Sequence, residues 1–167
     1  MKTIAVLIWL KVIVMILAVL VVLYLLMIMP RLTNRRERKK FLNVYYAHRG
    51  LHDNETDAPE NSMSAFRRAV EAGYGIELDV QVTKDKIPVV FHDFTLQRVC
   101  GQEGKVCDYT YEELQKFRLC KSSETIPLFE DVLKLVAGKV PLIVELKVEF
   151  TDLSVCKKAD ALLRKYK

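Results

Sequence analysis

Cysteines are few in this chain of 167 residues, and their arrangement excludes two common uses of the residue. The four are Cys100, Cys107, Cys120 and Cys156. They form no CxxC pair and show no Cys/His spacing typical of a metal site, and they do not resemble a disulfide framework. We interpret them as ordinary thiols in a reducing compartment. The sequence also lacks internal repeats and low-complexity tracts.

Excess positive charge is absent from most of the chain. Of the 26 Lys and Arg residues, eight lie in the first 40 positions, together with one of the 21 Asp and Glu residues. The remaining residues therefore carry 18 basic and 20 acidic side chains, a formal charge of −2 against +5 for the whole chain. This balance excludes a basic nucleic-acid-binding domain, so no nucleic-acid partner is expected. A hydrophobic content of 51% excludes a disordered chain.

The N-terminus holds a long apolar run. Residues 3–29 are almost all apolar, and Lys11 is the only charge. This length is sufficient to cross a bilayer. A cleaved signal peptide would have a shorter apolar core and a small-residue cleavage site, whereas Pro30-Arg31-Leu32 follows this run. We predict a transmembrane signal anchor over residues 1–30, with membrane attachment through residues 3–29.

Residues 31–43 form a basic juxtamembrane linker. Six basic residues lie between Arg31 and Lys40, against Lys2 and Lys11 on the other side of the run. The positive-inside rule then places the globular part in the cytoplasm, as a single-pass membrane protein. The linker can act as a stop signal, contact anionic headgroups, or do both.

The rest of the chain alternates between strand and helix patterns. Strands are predicted at 44–48, 75–82, 87–92 and 141–147, the last as a buried strand. A helix capped by Asn61 runs to Gly73, Thr110 starts another, and two more are predicted at 128–136 and 153–166. Residues 94–108 form an excursion or hairpin. This alternation predicts an α/β fold with a parallel sheet and crossover helices.

Polar residues occur near the carboxyl ends of the predicted strands, as on the active face of a (β/α) barrel. Glu77 and Asp79 are two apart on one strand, and so share a face. If they face inward with Glu145, a divalent cation with oxygen ligands is the natural reason to place three carboxylates together. The alternative is a solvated pair of acids at the sheet edge, and the flanking residues Ile76 and Leu78 do not decide between them.

Histidine is the other chemical signal. His48 and His92 each end an apolar strand, where two imidazoles suit acid–base work on a phosphoester. A single histidine at such a place is more often a satisfied core residue. His52 lies among acidic residues in a polar loop and is assigned to the surface. Arg49, next to His48, suits bidentate recognition of phosphate.

Six short blocks follow one another along the globular part of the chain. They are Ala47-His48-Arg49-Gly50, Ala58-Pro59-Glu60-Asn61-Ser62, Glu77-Leu78-Asp79-Val80, Val89-Val90-Phe91-His92-Asp93, Ile126-Pro127-Leu128 and Glu145-Leu146-Lys147. Together and in this order they resemble the glycerophosphodiester phosphodiesterases, a family with a metal-dependent site on a TIM barrel. Ser62 stands where the family more commonly has Thr.

The resemblance implies a set of residue roles. His48 and His92 would be the general acid/base pair, with the assignment of acid and base left open. Mg²⁺ or Ca²⁺ would be bound by Glu77, Asp79 and Glu145. Phosphate would be held by Arg49 and Lys147, with Glu60 and Asn61 as supporting residues. The implied reaction is hydrolysis of a glycerophosphodiester to glycerol 3-phosphate and an alcohol.

Length limits these expectations. A TIM barrel takes about 250 residues and eight strands, so residues 44–167 are expected to be the N-terminal half of such a domain, with weak stability and little activity alone. Two alternatives stay open: a phosphodiesterase acting on membrane lysolipids, similar to a lysophospholipase D, and an inactive membrane-anchored scaffold. The uncleaved anchor and the family type favour a bacterial source.

The orientation can be tested by protease protection in spheroplasts. We expect external protease to leave the globular part intact until the membrane is lysed, because the basic linker is retained inside. In the triple variant Arg35→Ala/Arg36→Ala/Arg38→Ala, a larger fraction of the chains is expected to have the globular part outside and to be digested before lysis. Complete digestion of the unsubstituted chain before lysis would contradict the predicted orientation.

Overall fold

The computed structural model describes residues 2–29, 35–149 and 152–166. The chain divides at residue 40 into two compact units. The first unit contains helix α1, Lys2–Ile28, and the short helix α2, Arg35–Lys39. Within α1, Val6–Ile28 is long and apolar enough to span a membrane, by length and composition. Apart from Lys11, its described side chains are apolar on all faces, and nearly all are exposed. The surface helix of a soluble protein has instead a polar face toward solvent.

The second unit is a four-stranded sheet with helices. The strands are β1 (Tyr46–His48), β2 (Gly75–Val82), β3 (Pro88–Val90) and β4 (Leu142–Leu146). The helices are α3 (Met63–Glu71), α4 (Gln97–Cys100), α5 (Tyr111–Leu114), α6 (Phe129–Val136) and α7 (Ser154–Lys165), with a 3₁₀ turn at Val106–Asp108. The predicted strands and long helices are thus present, with ends shifted by a few residues.

Strand β2 is the centre of the sheet and pairs with all three others. Ile76 pairs with Ala47 of β1 and with Leu142 of β4, so these two parallel neighbours lie on opposite edges of β2. Val80 pairs with Leu146 of β4 and with Val90 of β3. Strand β3 therefore shares the edge with β1, beyond the point where β1 ends.

The prediction of a wholly parallel sheet is wrong for β3, which runs antiparallel to β2. The connection between them is too short for a crossover, which needs a dozen or more residues. It is a tight turn in which the amide of Thr83 donates to the carbonyl of Ile87 at 3.1 Å. The hairpin returns the chain toward the middle of β2, and His92 follows directly.

One face of the sheet packs against helices. Ile76, Leu78 and Val80 of β2 are fully buried there, and they form one core with residues of α3, α6 and α7, including Phe66, Phe129 and Val155. The opposite face carries the intervening side chains, in the alternation that a strand imposes.

The prediction that residues 141–147 form a buried strand holds for only one face. Ile143 is 47% exposed, and the Glu145 side chain is 54% exposed. Within the described ranges, β4 is therefore covered by helices on one side and open on the other.

A second core supports the segment that follows β3. Val89, Phe91 and Leu96 pack with residues as distant as Leu119 and Ile126. The predicted excursion at 94–108 contains α4 and the 3₁₀ turn, and a bridge joins Thr95 to Lys105. This packing fixes the chain on both sides of His92.

The N-terminal cap of α3 differs from the prediction. Ser62, not Asn61, is the cap, and its hydroxyl accepts a hydrogen bond from the amide of Ala65 at 3.1 Å. Asn61 lies one residue earlier with φ of 55°. Its side chain is thereby free of the helix and reaches toward β2.

Gly50 is required by a close approach between the end of β1 and α3. Its φ is +85°, and an added Cβ would lie 2.9 Å from Cβ of Ala65 and 3.0 Å from that residue's carbonyl carbon. Gly101 has a similar φ of +64°, but an added Cβ there meets nothing within 4 Å. The two glycines therefore separate backbone strain from steric overlap.

We expect Gly101→Ala to lower the free energy of unfolding by about 1–2 kcal/mol through left-handed strain alone. Gly50→Ala should cost a further 1–3 kcal/mol, roughly, because backbone atoms of α3 must shift. Chemical denaturation of the full chain in detergent, followed by near-UV circular dichroism of the tyrosines, measures both. Equal losses in the two variants would contradict the close approach.

Candidate active site

Three carboxylates converge on the open face of the sheet. Glu77 and Asp79 both project there from β2, because the alternate residues Ile76, Leu78 and Val80 occupy the core. Glu145 of β4 is in register with Asp79. One oxygen from each of the three side chains lies within 4.8 Å of the others. The three carboxylates therefore converge, as predicted for acids that face inward, and they do not form a separate solvated pair at the sheet edge.

Asp79 is the most buried member of this cluster, with no exposed surface. The Lys147 ammonium lies 3.2 Å from its Oδ1, and the Asn61 side-chain amide donates to its Oδ2 at 3.0 Å. Nε of Arg49 lies 3.7 Å from the same Oδ2. A buried carboxylate is stable as an anion only with such compensation.

Lys147 also neutralises Glu145. Its Nζ lies 2.7 Å from Oε1 of that residue. Burial lowers the pKa of Lys147, but the hydrogen bonds to Glu145 and Asp79 outweigh it, so that the pKa is raised. Lys147 therefore bridges two of the three carboxylates as an ammonium group.

His48 and Arg49 reach the cluster from the end of β1. His48 is in register with Glu77, and its Nε2 lies 3.8 Å from Oε2 of that residue. The His48 side chain is 68% exposed, so it is accessible to a substrate. The backbone amide of Arg49 donates to the same Glu77 oxygen at 3.2 Å.

The donor set fits a hard divalent cation. Mg²⁺ and Ca²⁺ take oxygen ligands at about 2.0–2.6 Å, and three oxygens within 4.8 Å of one another can surround such an ion. The exposed side of Glu145 leaves room for further ligands. Glu77, Asp79 and Glu145 could thus hold the metal ion that the sequence predicts.

Glu60 links Arg49 to a second arginine, Arg98. The Glu60 carboxylate is buried and accepts hydrogen bonds from Nη1 of Arg49 at 3.0 Å and from Nη1 and Nη2 of Arg98 at 2.8 and 2.6 Å. The Asn54 amide donates to it at 3.0 Å. Burial raises the pKa of Glu60, but the hydrogen bonds from Arg98 and Asn54 outweigh it and hold the pKa at about 2.

His92 lies on the far side of Arg98. Its Nδ1 is 2.6 Å from Oδ1 of Asp93, and Arg98 donates to both Asp93 oxygens at 2.6 and 2.9 Å. Hydrogen bonds from Arg98 lower the pKa of Asp93 to about 2. The buried Gln81 amide holds the backbone, donating to the carbonyls of residues 91 and 93 at 2.8 and 2.7 Å.

A cavity of about 260 Å³ adjoins Lys147. Its lining is mixed in character, with two cations, two anions, an aromatic ring and a thiol. These lining residues include Gln81, Lys86, Phe94, Cys107, Lys147 and Glu149. The cavity lies beside the ammonium that the carboxylates hold in place, so a group bound at Lys147 can extend into it.

The structure brings together most of the residues selected from sequence. His48, Arg49, Glu60, Asn61 and Lys147 all contact the carboxylate cluster or one another. His92 is connected to them through Asp93, Arg98, Glu60 and Arg49. His52 is exposed, as predicted.

The residues of this network that were given no role from sequence are Asn54, Gln81, Asp93 and Arg98. Gln81 continues the two-residue alternation of Glu77 and Asp79, so strand periodicity could have found it. Arg98 carries no such signal, because its partner Glu60 is 38 residues away in the sequence.

The sequence model of the glycerophosphoryl diester phosphodiesterase family matches residues 48–166, which include every residue of the site described above. The chain belongs to this family. The family resemblance predicted from the six sequence blocks is thereby confirmed.

Individual relatives agree with the family match. A glycerophosphodiester phosphodiesterase from Bacillus altitudinis is 42% identical over 111 residues, which are 62% of this chain and 44% of that relative. The rat lysophospholipase D GDPD1 is 34% identical over 161 residues, 89% of this chain and 49% of its own length. The chain therefore spans about half the length of these family members.

Solved structures of family members establish the fold. A phosphodiesterase from Oleispira antarctica, solved in complex with the product sn-glycerol-3-phosphate, superposes with a TM-score of 0.68 at 27% identity. The match covers 77% of this chain and 54% of that structure. The α/β unit of this glycerophosphodiester phosphodiesterase family member thus has the fold of part of a TIM barrel.

The low pKa of Glu60 predicts acid sensitivity. Because the folded-state pKa of about 2 lies below the ordinary 4.5, Glu60 stabilises the fold above about pH 4.5, and this contribution, on the order of 3 kcal/mol, is lost as the pH falls toward 2. We expect Glu60→Gln to be destabilised at pH 7 and to approach the unsubstituted chain near pH 2.

Denaturation of the full chain at several pH values measures this difference. The matched control is Glu112→Gln, an exposed glutamate of α5, which should follow the unsubstituted chain at every pH. A difference that stays constant from pH 7 to 2 in Glu60→Gln would contradict the assigned pKa.

Proposed function

We propose that the protein hydrolyses glycerophosphodiesters to glycerol 3-phosphate and an alcohol, with a divalent metal ion, Mg²⁺ or Ca²⁺. The convergence of Glu77, Asp79 and Glu145 beside His48 carries the proposal. The named activity of the family members and the glycerol 3-phosphate held by the Oleispira antarctica phosphodiesterase support the substrate class.

The phosphate of the substrate is held by Arg49 and Lys147. Both cations face the carboxylate cluster, and Arg49 presents a planar fork suited to phosphate oxygens. The metal ion, held by Glu77, Asp79 and Glu145, supplies positive charge to the phosphoryl oxygens when it is bound. Glu60 and Asn61 are supporting residues, because they orient Arg49 and Asp79 through direct hydrogen bonds.

His48 and His92 carry the protons. One imidazole accepts the proton of the attacking water as the new P–O bond forms. The other donates a proton to the alcohol oxygen as its bond to phosphorus breaks. The net reaction consumes one water, and the pair returns to its initial protonation state once protons exchange with solvent.

We infer that the chain is organised as an anchor over 1–30, a basic linker over 31–43 and the N-terminal part of the catalytic domain over 44–167. Residues 3–29 place the site at the membrane, with the catalytic part on the cytoplasmic side. The length and apolar character of Val6–Ile28 support this organisation, as does the charge of Arg31–Lys40.

A second substrate class is lysolipids, cleaved in the manner of a lysophospholipase D. The observation in favour is the similarity to the rat lysophospholipase D GDPD1, which extends over 89% of the chain. A site anchored at the bilayer would meet such lipids directly. The phosphodiester chemistry is the same for both substrates.

The test follows product release by the full chain in detergent micelles, from glycerophosphocholine and from lysophosphatidylcholine, with Mg²⁺, Ca²⁺ or EDTA. We expect metal-dependent turnover that is low, because the chain spans about half the length of its relatives, and that falls by at least a further 10²-fold, roughly, in His48→Ala, because a proton-transfer group is removed. Glu145→Gln should raise the metal concentration needed for activity.

His52→Ala is the matched control, since His52 is an exposed histidine of the neighbouring loop, and it should retain full activity. Turnover that resists EDTA, or that His48→Ala leaves unchanged, would contradict the proposal. If the unsubstituted chain turns over neither substrate but still binds the metal ion, the membrane-anchored scaffold becomes the better interpretation.

A further inference from the structure

The geometry points to Asp93 and Arg98 as positioning residues for His92. Arg98 binds the carboxylates of both Asp93 and Glu60, and so fixes Asp93. Asp93 in turn holds the His92 imidazole with the ring proton on Nδ1, which leaves Nε2 free for the substrate. This inference rests on the proposed role of His92 in proton transfer. It adds two residues to the site that the roles given above leave out.

The contacts around Asp93 fix its orientation. Nε and Nη2 of Arg98 donate to Oδ2 and Oδ1 of Asp93 at 2.6 and 2.9 Å, a two-point contact that allows one carboxylate plane. The same guanidinium makes a second two-point contact with Glu60, at 2.8 and 2.6 Å. Arg98 therefore has both ends of its fork occupied by carboxylates from two separate segments of the chain.

Glu60 is itself buried and held by several hydrogen bonds. It is 4% exposed, and it is held by Arg49 and by a reciprocal pair of contacts with Asn54. The chain of contacts thus runs from a buried anchor next to the phosphate-binding Arg49, through Arg98, to Asp93. Movement of Asp93 would break both of its hydrogen bonds with Arg98 or draw Arg98 away from Glu60.

The tautomer of His92 follows from the charge on Asp93. An ionised carboxylate has no proton to donate, so a contact of 2.6 Å between Asp93 Oδ1 and His92 Nδ1 requires the proton on Nδ1. In the neutral ring, Nε2 then carries the free lone pair. The Gln81 amide donates to the carbonyls of residues 91 and 93, and these hydrogen bonds hold the backbone that carries the His92 ring.

Asp93 stands to His92 as the carboxylate of a catalytic triad stands to its histidine. In such a triad, the wrong histidine tautomer lowers turnover severely. Arg98 differs from a simple surface cation in that it contacts two carboxylates, of which Glu60 is buried and Asp93 is partly exposed. Its side chain is nevertheless 47% exposed, so substitution need not disrupt the core.

The test uses ¹⁵N-imidazole histidine in the full chain in detergent micelles at pH 8, without substrate. The three histidines are assigned with His92→Gln, His48→Gln and His52→Gln. We expect unsubstituted His92 to be almost wholly the Nδ1–H tautomer. Asp93→Ala should shift it toward Nε2–H, Arg98→Met should shift it in part, and Arg98→Lys, which keeps the charge but loses the fork, should lie between Arg98→Met and the unsubstituted chain.

The control residues are Arg68 and Asp57, whose side chains form an ion pair at 2.6 Å. This ion pair is separate from the network around His92. Arg68→Met and Asp57→Ala should leave the His92 signals unchanged. With glycerophosphocholine, Asp93→Ala and Arg98→Met should lower kcat by roughly 10–10²-fold with little change in KM, since a proton-transfer partner is misplaced while phosphate binding persists.

An unsubstituted His92 dominated by Nε2–H would overturn the inference, and this result does not depend on any variant folding. So would an unchanged tautomer in both Asp93→Ala and Arg98→Met. Because the tautomer is read without substrate, an inactive unsubstituted chain would contradict the proposed function while the spectra still decide the positioning role.

Discussion

The buried carboxylate of Asp79 is the constraint on which the rest of the site depends. It has no exposed surface, and an isolated buried charge would cost several kcal/mol. Three elements therefore supply partners: Lys147 follows β4, Asn61 precedes α3, and Arg49 follows β1. The same compensation that makes Asp79 tolerable in the fold gathers two cations, Arg49 and Lys147, around a carboxylate cluster. Removal of any one partner would weaken the compensation of the Asp79 charge, so the stability of the fold and the geometry of the cluster are coupled here.

Strand β2 carries this constraint because it extends past both parallel neighbours. Its early residues pair with β1 and β4, which deliver His48 and Glu145 beside Glu77 and Asp79. Its last residues turn back through β3 and return the chain to His92. A strand that stopped with its neighbours would leave His92 without a route to the same face. The hairpin and the second core beneath it are thus part of how the site is built, and the antiparallel β3 is a functional feature of an otherwise parallel sheet.

Sequence alone identified the residues of the cluster because strand alternation fixes which side chains share a face. It did not decide which face: Ile76 and Leu78 are apolar on either interpretation, and only the packing of α3, α6 and α7 against them turned Glu77 and Asp79 to the open side. The direction of β3 could have been predicted from its five-residue connection. The prediction of Asn61 as the cap was wrong because two cap-forming residues, Asn61 and Ser62, are adjacent. The Asn61 side chain donates a hydrogen bond to Asp79 instead, and Ser62 caps the helix. Arg98 could not be found, since its contacts join segments that only the fold brings together.

The two arginines illustrate why local sequence falls short at a site of this kind. Arg49 follows His48 at the end of a strand, and this position was sufficient to select it from the sequence as a site residue. Arg98 lies on a helix of four residues among side chains that suggest only a turn. Yet Glu60 contacts both guanidinium groups, and this shared carboxylate connects the Arg49 side of the site to the His92 side. A change in Glu60 would therefore remove the contacts to both arginines, whereas a change in Arg98 leaves the hydrogen bond between Arg49 and Glu60 in place. That difference separates the residue that organises the site from the residue that orients a single group within it.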